Sequence, residues 1–256
     1  MTEFMMVNII FTASLVALGA CFGSFINAAA LRYGAKVSFV KGRSACPHCK
    51  RVLGWFELVP VAGWFLLGGK CRGCKVRIPV RYVLVEILCA ALFGAAYGVF
   101  GFSLMTVLAI SVAGIMLAIS LIDINTTEIP DGLTIALIPF AVAAIWLMPD
   151  VGIWARVIGF FAISLPMLLL ALFIGGAFGG GDIKLMAVCG FLLGWQGVLL
   201  AFFVAVVLGG GWAIWLLLTK RRKKGEAMVF GPALCVGVYA SLLFGGDIIN
   251  WYLGFF

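Results

Sequence analysis

The chain has 256 residues, of which 64% are hydrophobic and only 11% are charged. Soluble domains contain about 45–50% apolar and about 25% charged residues, and a water-soluble fold of this size cannot bury so much apolar surface. The composition therefore excludes a soluble or secreted enzyme and predicts an all-α, polytopic membrane helix bundle. In such a protein the net charge of +8 first indicates how the loops are oriented, rather than nucleic-acid binding.

Eight apolar runs are candidate membrane helices, because a helix needs roughly 20 apolar residues to cross a hydrocarbon core of about 30 Å. They are residues 7–31, 82–100, 102–122, 133–148, 154–174, 183–193, 198–218 and 232–255. The sixth run is too short to cross unaided, so we expect it to start below the membrane plane or to lie inside the bundle. No removable signal peptide is expected, since Glu3 and no positive charge precede the first run.

The runs divide the chain into three predicted parts. Residues 1–31 form the first transmembrane helix, residues 32–81 form a polar four-cysteine segment, and residues 82–256 form a seven-helix membrane core.

The positive residues predict the orientation of the bundle. Eleven of the 18 lie in residues 32–81 and five more in residues 220–224. With eight spans, both segments and Lys184 lie in the cytoplasm, and only Arg156 falls outside, in agreement with the positive-inside rule. We therefore expect both termini to be extracytoplasmic, and we expect the lipid bilayer, not nucleic acid, to be the partner of this charge.

Two Cys-x-x-Cys pairs lie in the polar segment, namely Cys46 with Cys49 and Cys71 with Cys74. Their spacing is close to that of a structural site in which four thiolates bind Zn²⁺. Two disulfides or a redox pair are the alternatives, but a reducing cytoplasm disfavours disulfides and a redox motif does not need two copies. His48 lies between two better ligands and is interpreted as a turn residue.

Two acidic clusters border predicted spans, where ionisable residues are costly and often functional. Asp123 ends the third span and Asp182 precedes the sixth, so the two carboxylates can converge from neighbouring helix ends as a general acid and base that share a water. A purely structural role remains open for two of the acidic residues: Asp131 after Pro130 is typical of a helix N-cap, and Asp182 could cap a helix too. Capping does not explain Asp123, because a carboxylate at a helix C-terminus opposes the macrodipole.

The chain resembles the bacterial type IV prepilin peptidases, a family of GxGD-type membrane aspartic proteases, over nearly its whole length. The resemblance is carried by Gly23–Asn27 with Arg32, the paired Cys-x-x-Cys with Gly69 and Lys70, Arg81-Tyr82 with Glu86, Asp123 with Ile129-Pro130-Asp131, Gly179-x-Gly181-Asp182-x-Lys184, and Phe230-Gly231-Pro232.

The resemblance implies removal of a short basic leader from type IV prepilins or pseudopilins at the cytoplasmic face of the bacterial inner membrane, in pilus assembly or type II secretion. It makes Asp123 and Asp182 the catalytic pair. It places accessory residues around that pair: Asp131, Gly179, Gly181 and Lys184. It also implies methylation of the new N-terminus with S-adenosylmethionine, and its candidate residues are Glu57, Gly69 and Glu86.

Two other function classes are alternatives to the peptidase. One is a proton- or ion-coupled transporter with a structural zinc loop; the other is a non-catalytic zinc scaffold for pilus assembly. Transporters often contain internal repeats and mid-span charges, whereas here no repeat is found and the key acids lie at span ends. Histidine-dependent hydrolase mechanisms lack a base, because His48 is the only histidine.

Overall fold

The computed structural model describes residues 2–37, 44–174, 178–219 and 229–255. Within these ranges the chain is helical and contains no strand, only two isolated β-bridges, which confirms the all-α prediction. The chain divides into two compact units, residues 1–102 and residues 103–256. The basic run 220–224 and residues 175–177 of the glycine cluster lie outside the described ranges.

The helices are numbered in chain order. The first unit contains α1 (Thr2–Gly34), a 3-10 turn (Trp55–Leu58), α2 (Ala62–Leu66) and α3 (Arg81–Phe100). The second unit contains α4 (Leu104–Thr126), α5 (Asp131–Leu147), α6 (Ile153–Ala162), α7 (Ser164–Phe173), α8 (Gly180–Leu218) and α9 (Gly231–Leu253).

Six helices in the described ranges are long and apolar enough to cross a membrane, with α6 and α7 counted together. The 17-residue α5 is a shorter apolar helix. Together these elements correspond to the predicted apolar runs, so the chain is a multi-pass membrane protein.

In the first unit α1 and α3 pack as an antiparallel pair through glycines. A Cβ on Gly19 would lie 2.9 Å from the Cα of Ala90, and a Cβ on Gly23 would lie 2.9 Å from the Cα of Glu86. Small residues allow membrane helices to approach this closely. The Gly23 motif in the first span is therefore a packing requirement at the end of α3 that carries Glu86.

The second unit explains the short sixth run, because α8 reverses direction at Gly194. Gly194 has φ 76° and ψ 173° and interrupts the helix. The ring of Phe230 contacts both Phe178, just before α8, and the position of Gly209, 15 residues after the reversal. A straight helix would separate the ends of residues 180–209 by about 44 Å. Residues 180–193 and 195–218 are thus two antiparallel helices, as the separate sixth and seventh runs predict.

Arg156 joins the end of α5 to the part of α8 that precedes its reversal. Its side chain is fully buried, and its guanidinium donates hydrogen bonds only to backbone carbonyls in the described structure. The acceptors lie at the end of α5, in the loop that follows, and just before the reversal of α8: Ala144 (2.7 Å), Met148 (2.9 Å), Val151 (3.2 Å), Phe191 (3.2 Å) and Leu192 (2.7 Å). The one cation that departs from the charge pattern is therefore an internal anchor rather than a loop charge.

Candidate active site and metal centre

Asp123 lies in the last turn of α4 with only 6% of its surface exposed. Its Oδ2 accepts the N–H of Gly231, the first residue of α9, at 2.9 Å. A helix N-terminus has free N–H groups and stabilises negative charge. The Asp123 carboxylate caps α9 rather than the helix that carries it, so the expectation that capping has no part in its placement is wrong.

Only glycine fits at position 231, because the Asp123 side chain occupies the space where a Cβ would lie. A Cβ on it would lie 2.6 Å from the Asp123 Oδ2 and 3.2 Å from its Cβ. Any side chain at position 231 therefore displaces the carboxylate.

Asp182 is the third residue of α8 and is half-buried. Its Oδ2 accepts the N–H of Gly179 at 3.2 Å, as one half of a capping arrangement. Asp182 lies near Asp123, because the ring of Phe230, which precedes Gly231, contacts the ring of Phe178, which precedes Gly179. The end of α4 and the start of α8 therefore bring the two carboxylates near each other. Two neighbouring carboxylates in a partly buried site share a proton more readily than they hold two charges.

Asp131 and Lys184 form a second polar pair beside these helix starts. The expected N-cap role of Asp131 is wrong: Pro130 is the N-cap of α5, and the Asp131 side chain makes no capping hydrogen bond. Instead, Lys184 Nζ donates to both Asp131 oxygens at 2.9 and 3.0 Å. The pair connects the first turns of α5 and α8, and both side chains are more than half exposed.

The two glycines of the GxGD motif lie where a side chain would clash with neighbouring atoms. Gly179 has φ −71°, an ordinary conformation, and a Cβ on it would lie 3.0 Å from the Asp182 Oδ2. A Cβ on Gly181 would lie 2.8 Å from the Cβ of Ile129. These glycines let the start of α8 lie against its own carboxylate and against the α4–α5 loop.

Sequence reasoning missed the roles of Gly231, which contacts the Asp123 carboxylate, and of Arg156, which anchors the far ends of the helices that begin near Asp131 and Asp182. Gly231 was noted only as part of a closing motif, and Arg156 only as a topological exception. The signal for Arg156 was that exception itself, because a cation that departs from the loop pattern and lies in an apolar run must find buried acceptors.

The first unit brings the four predicted metal ligands together. The Sγ atoms of Cys46, Cys49, Cys71 and Cys74 all lie within 4.8 Å of one another. The Cys46–Cys74 and Cys49–Cys71 sulfur pairs are 3.8 and 4.0 Å apart. Tetrahedral Zn²⁺ with Zn–S bonds of about 2.3 Å separates its sulfurs by about 3.8 Å. The donor set therefore fits Zn²⁺, and His48 is not part of the cluster.

The two halves of the cluster repeat one backbone turn. The N–H of Lys50 donates to the Cys46 carbonyl at 2.9 Å, and the N–H of Lys75 donates to the Cys71 carbonyl at 3.0 Å. Both lysines adopt positive φ values, 58° and 60°. The N–H groups of Cys74 and Gly73 lower the pKa of the Cys71 thiol to about 6. The turn thus prepares a thiolate for a metal before any ion is bound.

The three candidate methyl-transfer residues occupy different environments. Glu57 and Glu86 line one cavity between α1, α3 and the four-cysteine loop. Gly69 is not among the lining residues; it has φ 65°, and a Cβ there would lie 2.7 Å from the ring of Trp64. The structure therefore brings Glu57 and Glu86 together and gives Gly69 a local packing role beside Trp64.

Comparison with known proteins identifies the family. Residues 17–100 match the bacterial peptidase A24 N-terminal domain, and residues 110–214 match the type IV leader peptidase family. The chain is 35% identical to the prepilin leader peptidase/N-methyltransferase of Bacillus subtilis (strain 168), over 93% of this chain and 96% of that one.

Proteins of the same name from Stutzerimonas stutzeri and Aeromonas hydrophila are 31% and 33% identical. These alignments cover 90% and 82% of this chain and 82% and 74% of the two relatives. No solved structure matches the chain. Because the similarity to the Bacillus subtilis protein extends over nearly the full length of both chains, this protein belongs to the type IV leader peptidase family.

Proposed function

We propose that the protein is a membrane-embedded aspartic endopeptidase that cleaves type IV prepilins or pseudopilins and then methylates the new N-terminus. The observation that supports the peptidase assignment is that Asp123 and Asp182 lie near each other at two helix ends, with Asp123 held by the Gly231 N–H and Asp182 by the Gly179 N–H. The relatives' printed names support both activities. No comparison supports the transporter alternative.

The peptide bond is cleaved by water held between the two carboxylates. The ionised member accepts a proton from the water, whose oxygen bonds to the scissile carbonyl carbon. The protonated member donates its proton to the reacting carbonyl, and protons then pass to the leaving amine as the C–N bond breaks. The products are a free carboxylate on the leader and a free amine on the pilin.

The position of the pair suits a membrane-embedded substrate. Both carboxylates lie at the ends of spanning helices rather than at their centres. The substrate's hydrophobic segment can lie in lipid while its polar leader stays in water, so the scissile bond falls at the membrane boundary. We place this boundary at the cytoplasmic face of the bacterial inner membrane, with both termini extracytoplasmic, from the distribution of positive residues.

Zn²⁺ and S-adenosylmethionine are the proposed cofactors of the first unit. The four cysteines would hold Zn²⁺ as a closed structural site, which fixes a loop that has little apolar core of its own. S-adenosylmethionine supplies an electrophilic methyl group when bound. Of the candidate residues, Glu57 and Glu86 lie where they can contact a small molecule in the cavity, whereas Gly69 shapes the loop.

The peptidase assignment is tested with the variants Asp123→Asn and Asp182→Asn. Each is expected to lower the rate of prepilin cleavage in liposomes by about 10²–10⁴-fold, because each removes one partner of the acid–base pair. Asp150→Asn is the matched control, since Asp150 is exposed in the α5–α6 loop. Cleavage by either active-site variant at the rate of the control would reject the mechanism.

A further inference from the structure

The first unit contains a cavity of about 590 Å³ formed by α1, α3 and the four-cysteine loop. Small-molecule sites in proteins measure about 300–1,000 Å³ and combine apolar walls with a few polar groups. Three aromatic side chains, those of Phe25, Trp64 and Tyr82, line the cavity together with the carboxylates of Glu57 and Glu86. The volume and the walls therefore suit a ligand of the size of a nucleoside.

The two carboxylates of this cavity are not equivalent. Glu57 is already satisfied: its Oε1 accepts from Arg51 at 2.6 Å and its Oε2 accepts the Gly54 N–H at 2.7 Å. Arg51 neutralises its charge and, with Gly54, holds the pKa of the Glu57 carboxyl below its usual range. Glu57 therefore serves the loop.

Glu86 has capacity left for a ligand. It is 7% exposed, and its Oε2 accepts the N–H of Val61 at 2.7 Å. In the described part of the chain no lysine or arginine forms an ion pair with it. A carboxylate can accept about four hydrogen bonds, and a buried one is costly without a compensating charge. Glu86 is thus suited to a cation that enters the cavity.

We propose that Glu86 recognises the positive charge of the sulfonium methyl donor bound in this cavity, an inference that rests on the proposed methyl transfer. The aromatic walls suit both halves of such a ligand, because a cation is attracted to an aromatic face and a nucleobase stacks on one.

This recognition would distinguish the donor from its own product. Loss of the methyl group converts the sulfonium into a neutral thioether and leaves the rest of the molecule unchanged. A carboxylate close to the sulfur therefore attracts the donor and not the product. Glu86 would favour loading of fresh donor and release of spent product at the same site.

The experiment measures the affinities of the full-length protein in detergent for S-adenosylmethionine and S-adenosylhomocysteine by isothermal titration calorimetry. The variant is Glu86→Gln, whose amide oxygen can still accept the Val61 N–H. We expect at least about tenfold weaker binding of the donor, because one partner of a buried charge pair is removed, and less than about twofold change for the neutral product. Sinefungin, which has an ammonium group in place of the sulfonium, is expected to behave like the donor.

Two further variants separate charge from structure. Glu86→Asp keeps the charge and is expected to keep the preference for donor over product, even where absolute affinity falls. Glu57→Gln is the matched control from the same cavity, and it is expected to change both affinities by the same factor, because it acts through the loop.

The outcomes distinguish this inference from the function on which it rests. Equal weakening of donor and product in Glu86→Gln would show that Glu86 only holds the Val61 loop, and unchanged binding of both would show that it has no role; either result overturns the inference and leaves methyl transfer standing. Wild-type protein that cleaves prepilin but binds neither ligand would overturn the proposed methyl transfer itself.

Discussion

Replacement of Arg156 by Met tests whether a buried cation fixes α5 and α8, the helices that carry Asp131 and the proposed catalytic Asp182. The guanidinium joins the end of α5 to the reversal of α8, and these helices begin at Asp131 and just before Asp182. Met has a similar length and no polar atoms to donate. The substitution therefore removes the hydrogen bonds while it keeps most of the packing.

The loss of stability expected for Arg156→Met depends on which carbonyl groups are left without a hydrogen-bond donor. Ala144 and Met148 keep backbone partners, since their carbonyls also accept the N–H groups of residues 148 and 151. Phe191 and Leu192 immediately precede the interruption at Gly194, so the Arg156 donors replace helical ones there. Two buried carbonyls without a donor cost about 1–3 kcal/mol each. The expected loss of stability is therefore about 2–6 kcal/mol.

Thermal unfolding in detergent, followed by tryptophan fluorescence, measures this loss. At about 2–4 °C per kcal/mol for a chain of this size, Arg156→Met is expected to lower the Tm by about 4–24 °C. Arg156→Lys is expected to show an intermediate shift, because an ammonium group has three donors against five.

Lys184→Met is the control for loss of a cation in the same unit. Lys184 is exposed and bound to an exposed partner, so its pair contributes about 0–1 kcal/mol. A Tm for Arg156→Met that matches the Tm of this control would refute the anchoring role of Arg156. So would an intact Tm combined with normal cleavage.

The remaining predictions concern single contacts. Gly231→Ala places a methyl group 2.6 Å from the Asp123 Oδ2, so the kcat for prepilin cleavage is expected to fall about 10²-fold; an unchanged kcat would contradict the role of this glycine. Asp131→Asn is expected to cost about 1 kcal/mol or less, because its ion pair is exposed, and a Tm loss as large as that of Arg156→Met would contradict this. Zinc content is expected to fall under acidic dialysis against a chelator, because protons compete with Zn²⁺ for the four thiolates; zinc that stays fully bound under these conditions in a variant lacking Cys71 would argue against a thiolate site.

The features that the sequence predicted well are those set by short segments of chain. Each Cys-x-x-Cys turn is closed by hydrogen bonds across four residues, so its shape is local. The separate sixth and seventh runs marked the reversal at Gly194 because the pattern of apolar residues breaks there. These features depend on residues that are close in sequence, so the spacing of residue types is enough to predict them.

The features that the sequence did not predict join distant parts of the chain. Asp123 and Gly231 are 108 positions apart, and Lys184 and Asp131 are 53 positions apart. The N-cap expected at Asp131 is wrong because Pro130 is the N-cap of α5, and the Asp131 oxygens accept from Lys184 of another helix. Local helix propensity could not indicate Lys184 as a partner of Asp131, because Lys184 lies on another helix and comes near Asp131 only in the folded chain.

The separation of the two sites bears on how the two proposed activities relate. Both carboxylates of the proposed catalytic pair lie in the second unit, and the cysteine cluster and the cavity with Glu86 lie in the first. No residue is shared, so each site is built from helices that do not form the other. Glu86→Gln is therefore expected to cleave prepilin at the wild-type rate, and Asp182→Asn is expected to bind the methyl donor with wild-type affinity. Loss of both activities in either variant would mean that one unit depends on the other for its active conformation.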